Sequence, residues 1–197
     1  LMDGAMRFNG SAYYVDWTDM QVTRFDPQNI SILTFVENAA DATIQGAEGD
    51  IIYKPNENLT LFGAFSVNST ELKSVYGKAV ELAPVGSQLP LTPSHQISLR
   101  ARYDWFMDNG WNAYVQGAIQ TAASSYSSVV AVKRVEQDSY TLLDASVGAV
   151  KDSWKVELFA ENLSDERAEL FINDQDDTMR VATNRPFTLS LRVSYDL

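Results

Sequence analysis

The sequence has no cysteine and a single histidine. The first absence excludes disulfides, thiolate metal sites and a cysteine nucleophile, and the second leaves no partner imidazole for a zinc site. A Ser-His-Asp relay would have to use His95, beside Ser94 in a proline-rich strand entry, and catalysis is not expected there. No cofactor is implied. Positive charge is scarce as well. Lys and Arg number 15 against 26 Asp and Glu, for a net charge of -11, and the basic residues stand singly. A nucleic-acid partner needs clustered cations against its phosphates, so none is expected. No apolar run approaches the roughly 18 residues that mark a helical membrane span. A membrane β-strand escapes that exclusion, because it needs only about 9 to 11 residues with every second one apolar. The opening LMDGAMRFNGSAYYV has no basic n-region, apolar h-region or cleavage site, so the chain is expected to be a piece of something longer.

What is present is alternation. From Phe187 the chain reads Phe187, Leu189, Leu191, Val193, Tyr195, Leu197 on one face and Thr188, Ser190, Arg192, Ser194, Asp196 on the other. That period of two is a β-strand wetted on one side. The same pattern recurs upstream. Ile97, Leu99, Ala101, Tyr103 and Trp105 oppose Gln96, Ser98, Arg100, Arg102 and Asp104; Trp111, Ala113, Val115, Gly117 and Ile119 follow the turn MDNG. Leu143, Ala145, Val147 and Ala149 precede KDS, and Trp154, Val156, Leu158 and Ala160 follow it. Around KPNEN stand Ala47, Gly49, Ile51, Tyr53 and then Leu59, Leu61, Gly63, Phe65, Val67. One more strand is expected over residues 5 to 20, with Met6, Phe8, Ala12 and Tyr14 on its apolar face.

About eight strands result, with no convincing helix. Their connections alternate: tight near 55–58, 107–110 and 151–153, long and polar near 24–36, 70–93, 124–138 and 164–184. A sandwich has no reason to sort its turns by length to opposite ends, whereas an outer-membrane barrel has short periplasmic turns and long extracellular loops. Tyr53, Trp105, Trp111 and Trp154 sit beside the tight turns and Tyr195 near the C-terminus, as an aromatic girdle at a membrane interface would.

In order and spacing, ENAADATIQGAEGDIIYKPNENLTLFGAFSVNST, LPLTPSHQISLRARYDW, YTLLDASVGAVKDSWKVELFAENLSDE and NRPFTLSLRVSYDL resemble the C-terminal barrel of TonB-dependent outer-membrane receptors. The resemblance covers most of the chain. It implies an all-β fold: an antiparallel up-and-down transmembrane β-barrel segment, residues 1–197 giving about eight strands of a barrel of about 22. The plug domain and the N-terminal strands are then expected to be absent from this chain. Taken alone the piece would be an open curved sheet with two bare edges. The resemblance further implies a Gram-negative outer membrane and TonB-powered uptake of a scarce nutrient, most often a ferric siderophore. The implied partners are TonB and the inner-membrane energising complex, reached through the plug, the barrel-assembly machinery at the C-terminal strand, outer-membrane lipid, and an iron chelate. No enzymatic step is implied. Members of the family usually end on Phe or Trp, whereas this chain ends Tyr195, Asp196, Leu197.

In such a wall Ile97, Leu99, Tyr103, Trp105, Trp111, Val156, Leu189, Leu191 and Val193 are expected to face lipid. Glu48, Asp50, Arg100, Arg102, Gln116, Gln120 and Arg192 are expected to face a wet lumen, where they either pair between strands or meet the plug or ligand. The acidic run NDQDDTM offers Asp174, Asp176 and Asp177 to calcium, but without the glycine and distal glutamate of an EF-hand loop. Two rival folds remain open on the sequence alone. One is a complete small eight-stranded outer-membrane barrel, an adhesin or structural element, whose first and last strands would pair. The other is a soluble β-sandwich, carbohydrate-binding or hydrolytic.

Overall fold

A computed structural model describes residues 1–25, 34–75, 82–175 and 178–196. Eight antiparallel strands form one sheet: β1 (Met6–Phe25), β2 (Thr34–Tyr53), β3 (Leu59–Val75), β4 (His95–Phe106), β5 (Asn112–Ala122), β8 (Tyr140–Lys151), β9 (Trp154–Glu161) and β12 (Thr188–Tyr195). Each pairs with the next in that order, so the sheet is a continuous meander. Two small hairpins stand apart in the long connections: β6 (Ser125–Tyr126) with β7 (Glu136–Gln137), and β10 (Glu169–Gln175) with β11 (Thr178–Thr183). Among the described residues the only helical pieces are single 3-10 turns at Met2–Gly4 and Ala131–Lys133.

β1 and β12 are the two edges and do not pair with each other. The small closed barrel is thereby overturned. The sandwich fails too, because among the described residues no second sheet covers the apolar face: Leu99, Leu189, Leu191 and Val193 are each half or more exposed.

Several boundaries differ from those read off the alternation. β1 continues past residue 20 to Phe25, β2 begins at Thr34 rather than near Ala47, and β3 runs to Val75. In the extensions of β2 and β3 the apolar residues Ala40, Ala42 and Leu72 change face, which breaks a period-two count along one side. The connections at 124–138 and 164–184 are not plain loops but carry the two hairpins. Trp111 lies in the turn before β5, where its carbonyl accepts the Met107 N–H at 2.8 Å, and not within the strand.

The change of face follows from register. Residues directly opposite in an antiparallel pair share a face, and alternate residues along a strand do too. Near the tight turns one face is apolar, with Leu61, Phe65 and Val67 of β3, and the other is polar, with Ser66 and Asn68. Leu59 to Val67 spans about 26 Å at about 3.3 Å per residue, close to the apolar band of an outer-membrane barrel. Beyond it the first face becomes charged: Asp16 in β1 accepts from the Tyr14 hydroxyl, and Glu71 and Lys73 in β3 pair at 2.6 Å. The second face becomes apolar, with Met20, Ala40, Ala42 and Leu72 buried under Leu82, Ala83 and Leu89 of the β3–β4 connection.

Backbone bonds hold that cover in place. β4 starts at His95, so β3 above Val67 lacks its neighbour, and residues 86 and 87 supply one: Leu72 N–H donates to Ser87 O and Gly86 N–H to Leu72 O. The cover joins the next connection through Ala83 N–H to Val129 O and Leu91 N–H to Tyr126 O. Arg134 completes the join. It stacks on Tyr126 at 3.8 Å and donates to the carbonyls of Ser128 and Gln88 at 2.9 and 2.7 Å; burial pulls its pKa below the ordinary value.

Candidate functional site

The polar face of the sheet holds the candidate residues. Glu48 lies opposite Ser11 and Ser66, Asp50 opposite Asn9 and Ala64, and Arg100 between Phe62 and Ala118. Arg102 and Gln116 are cross-strand partners, as are Ser98 and Gln120. Asp104, Tyr114, Gly148, Glu157 and Arg192 form one row across β4, β5, β8, β9 and β12. Glu48, Asp50, Arg100, Arg102, Gln116, Gln120 and Arg192 therefore share one face. Ile97, Leu99, Tyr103, Trp105, Val156, Leu189, Leu191 and Val193 share the other.

At the turn end this row becomes a connected network. The Arg102 guanidinium holds both Asp104 oxygens, with Nε at 3.1 and 3.0 Å and Nη2 at 2.8 Å, and lies 3.7 Å over the Tyr114 ring. Tyr114 is 1% exposed, and its hydroxyl donates to Glu157 at 2.6 Å. Lys155 and Arg192 approach the other Glu157 oxygen at 3.4 and 3.5 Å, and Arg192 lies over Phe159 at 4.9 Å. Tyr114 reaches Glu157 by crossing β8 at Gly148, where an added Cβ would sit 2.5 Å from the Tyr114 ring and hydroxyl. Glycine is required there for that close approach. Charge-assisted bonds of this kind contribute about 1.5–3 kcal/mol each when shielded.

Toward β1 the face is held by cross-strand pairs. Asn9 donates to both oxygens of Asp50 at 3.2 and 3.1 Å, and Ser11 to Glu48 at 3.2 Å. The Tyr13 hydroxyl bonds Asn68 across Gly46, where a Cβ would collide with it and with the Val67 carbonyl. Arg100 lies over Phe62 at 5.2 Å. Between β5 and β12 an open cleft of about 240 Å³ is lined by Gln116, Asp144, Ser146, Glu157, Glu161 and Arg192.

Ser94 and His95 come within 3.3 Å of each other, but the pair is exposed. Among the described residues no group of His, Asp and Glu is arranged to hold a metal. The calcium reading of Asp174, Asp176 and Asp177 falls outside the described residues for the last two; Asp174 itself sits in β10, opposite Met179.

The alternation puts Asp104 and Glu157 on polar faces without singling them out as site candidates, and it passes over Tyr114. The signal was available in WNAYVQGAIQ, where the period places Tyr114 among the polar residues. An aromatic on a wet face, with a glycine on a nearby strand, marks a ring lying over a bare backbone.

A family model described as TonB dependent receptor-like, beta-barrel, matches residues 1–163. The chain belongs to that family. Solved structures extend the likeness through the last strands. The ferric yersiniabactin uptake receptor FyuA from Yersinia pestis superposes with a TM-score of 0.79 at 17% identity, over 98% of this chain and 28% of that one. The ferric preacinetobactin receptor BauA from Acinetobacter baumannii gives 0.71 at 20%, over 98% and 28%. The ferric-catecholate import receptor Fiu from K12 E. coli gives 0.74 at 18%, over 99% and 26%. At these identities the likeness concerns the fold, and this TonB-dependent receptor segment spans little more than a quarter of each of those chains. Among curated proteins none matches the sequence.

Proposed function

We propose that these strands are part of the wall of an outer-membrane receptor in a Gram-negative bacterium that takes up a ferric siderophore with energy supplied through TonB. The observation that carries the reading is the segregated sheet itself. One face is apolar and bare over about 26 Å, the opposite face is polar and networked, and among the described residues each edge strand, β1 and β12, has a neighbour on one side only. An unpaired strand edge in lipid costs several kcal/mol per backbone group, so further strands are needed to close the wall. In the proposed setting Leu99, Leu191 and Val193 meet acyl chains, and Arg100, Gln116, Gln120 and Arg192 meet a hydrated lumen and its plug. The long connections bind the chelate. Iron is cargo, and the wall does no chemistry on it. TonB engages the plug, the barrel-assembly machinery engages the C-terminal strand, and no nucleic acid is involved.

Iron-starved cells with and without the full-length gene test this. Radio-iron uptake from a panel of ferric siderophores should be lost on deletion, and lost equally when TonB is removed. Uptake of every chelate unchanged in both strains would overturn the reading.

A further inference from the structure

The segment FAENLSD, from Phe159 to Asp165, carries the end of β9 out of the sheet into the long connection toward β12. Asn162 follows β9 with a positive φ of 54° and is 4% exposed. Its side chain uses both ends. Nδ2 donates to Glu166 O and Arg185 O at 2.9 Å each, and Oδ1 accepts the Glu166 N–H at 2.9 Å. Its own N–H is fixed by Asp144 Oδ1 at 2.8 Å, one strand away. Asp165 Oδ1 then accepts the Phe187 N–H at 2.8 Å, and Asn184 Oδ1 the Ala168 N–H at 3.0 Å.

Three of these bonds, to Arg185 O, from Phe187 N–H and between Ala168 and Asn184, join the outgoing chain to the returning chain at the base of the β9–β12 connection, while those to Glu166 and Asp144 fix Asn162 itself. Only a carboxamide can donate to two carbonyls while accepting from an N–H, so no other side chain of this size replaces Asn162. Above the base stands the β10–β11 hairpin, whose Leu170, Met179 and Val181 are exposed. A two-stranded hairpin has little stability of its own, so its direction is set where it is anchored. A second anchor comes from the neighbouring connection: Gln137, 2% exposed, donates to Glu169 O at 2.9 Å.

We propose that Asn162 is a positioning residue for ligand recognition. With Asp165 and Asn184 it clasps the base of the β10–β11 hairpin, and Gln137 ties the clasped hairpin to the β5–β8 connection, so that both present one pre-formed surface to the incoming chelate. The proposal rests on the receptor reading for its ligand but not for its geometry.

Asn162→Gly isolates the clasp, because glycine adopts the positive φ without strain and removes only the side-chain bonds. In the full-length receptor in outer-membrane vesicles, spin labels at Val132→Cys and Met179→Cys report the distance between the two connections. The distribution should be narrow in the parent and broad in Asn162→Gly. If the competent arrangement falls to about a tenth of the population, half-saturation for ferric chelate uptake rises about tenfold with maximal rate unchanged. A rise in half-saturation without loss of assembled, heat-resistant barrel is a readout that a merely structural role would not move.

A distribution as narrow in Asn162→Gly as in the parent overturns the proposal. So does a broadened distribution with unchanged half-saturation. Should Asn162→Gly not assemble, Asn184→Ala, which removes a single stitch, is read against the same two criteria. A parent that takes up no ferric chelate refutes the receptor reading instead, and the distance measurement, which needs no ligand, still decides the clasp.

Discussion

Within β3, Leu61, Phe65 and Val67 lie on one face near the tight turn, and Leu72, further along the same strand, lies on the other. Phe65 and Val67 are 38% and 44% exposed, whereas Leu72 is fully buried. In the turn-side half the first face is apolar and the second polar. In the loop-side half the first face is charged and the second apolar and packed. One strand can obey both patterns because each residue answers only to what lies against it at its own height: acyl chains for Val67 in the proposed setting, and the packed connection at 82–89 for Leu72. Strand length alone therefore overstates the membrane span. β1 and β2, with 20 residues each, reach about 65 Å at about 3.3 Å per residue, more than twice an apolar band of about 25 Å.

The largest expected effect breaks the turn-side pattern. Leu99→Arg places a charge on the apolar face beside Ile119, at a cost of about 2–4 kcal/mol near the membrane midplane. Arg100→Leu, one residue along, removes a charge stacked on Phe62 from the wet face and should be mild. The measurement is the fraction of full-length receptor that runs as a heat-resistant barrel. Equal losses for the two would contradict the facing assignment.

Next is the contrast between the halves. Leu72→Ala empties a packed site and should cost about 2–4 kcal/mol, paid locally. Hydrogen exchange should then quicken at Leu72, Gly86 and Ala83, whose amides bond across that cover, while the barrel stays assembled. Leu191→Ala removes a side chain of the same size from the bare face, 67% exposed, and should cost less than Leu72→Ala, because the transfer of the lost carbons is forfeited but no cavity is left. If Leu191→Ala proved as damaging as Leu72→Ala, something other than lipid would have to cover the apolar face.

How much of this was legible follows the same division. The turn-side half repeats a strict period over each strand, so its strands, their faces and the tight turns follow from Ile97–Trp105 or Leu189–Tyr195 read alone. In the loop-side half the period persists but its sense inverts, at Ile44 in β2 and Leu72 in β3, and a count along one face ends there. The bulges at Trp17–Met20 and Asp41–Ala42 shift the pattern further. The site was legible in its facing and not in its wiring. Arg102 and Arg192 were visible as residues of one polar face, but Tyr114 joins them through a ring laid over Gly148, a contact between strands that no single segment records.

That contact gives the third prediction. Gly148→Ala would force Tyr114 aside and, by overpacking, cost about 1–3 kcal/mol. It would also break the hydroxyl bond to Glu157. Adding Tyr114→Ser to Gly148→Ala should recover part of the loss, since the small residue no longer crosses β8. Non-additivity in urea unfolding of the assembled receptor is the measurement, and strictly additive losses would show that the ring does not occupy the space above Gly148.

The smallest effect is expected at the far end of the same network. Arg192 is 58% exposed and stands 3.5 Å from a carboxylate that already accepts from Tyr114 and meets Lys155 at 3.4 Å. Exposed ion pairs contribute roughly 0–1 kcal/mol, and Glu157 keeps two partners when this one is removed. Arg192→Ala should therefore change stability by less than about 1 kcal/mol. Because Arg192 also covers Phe159, Arg192→Met separates the charge from the packed stem. Near-native urea midpoints for both variants would leave Tyr114 as the partner that holds Glu157. A loss in both as large as that of Gly148→Ala would make β12 an equal member of the network, and the row from Asp104 to Arg192 would then have to be treated as one cooperative unit.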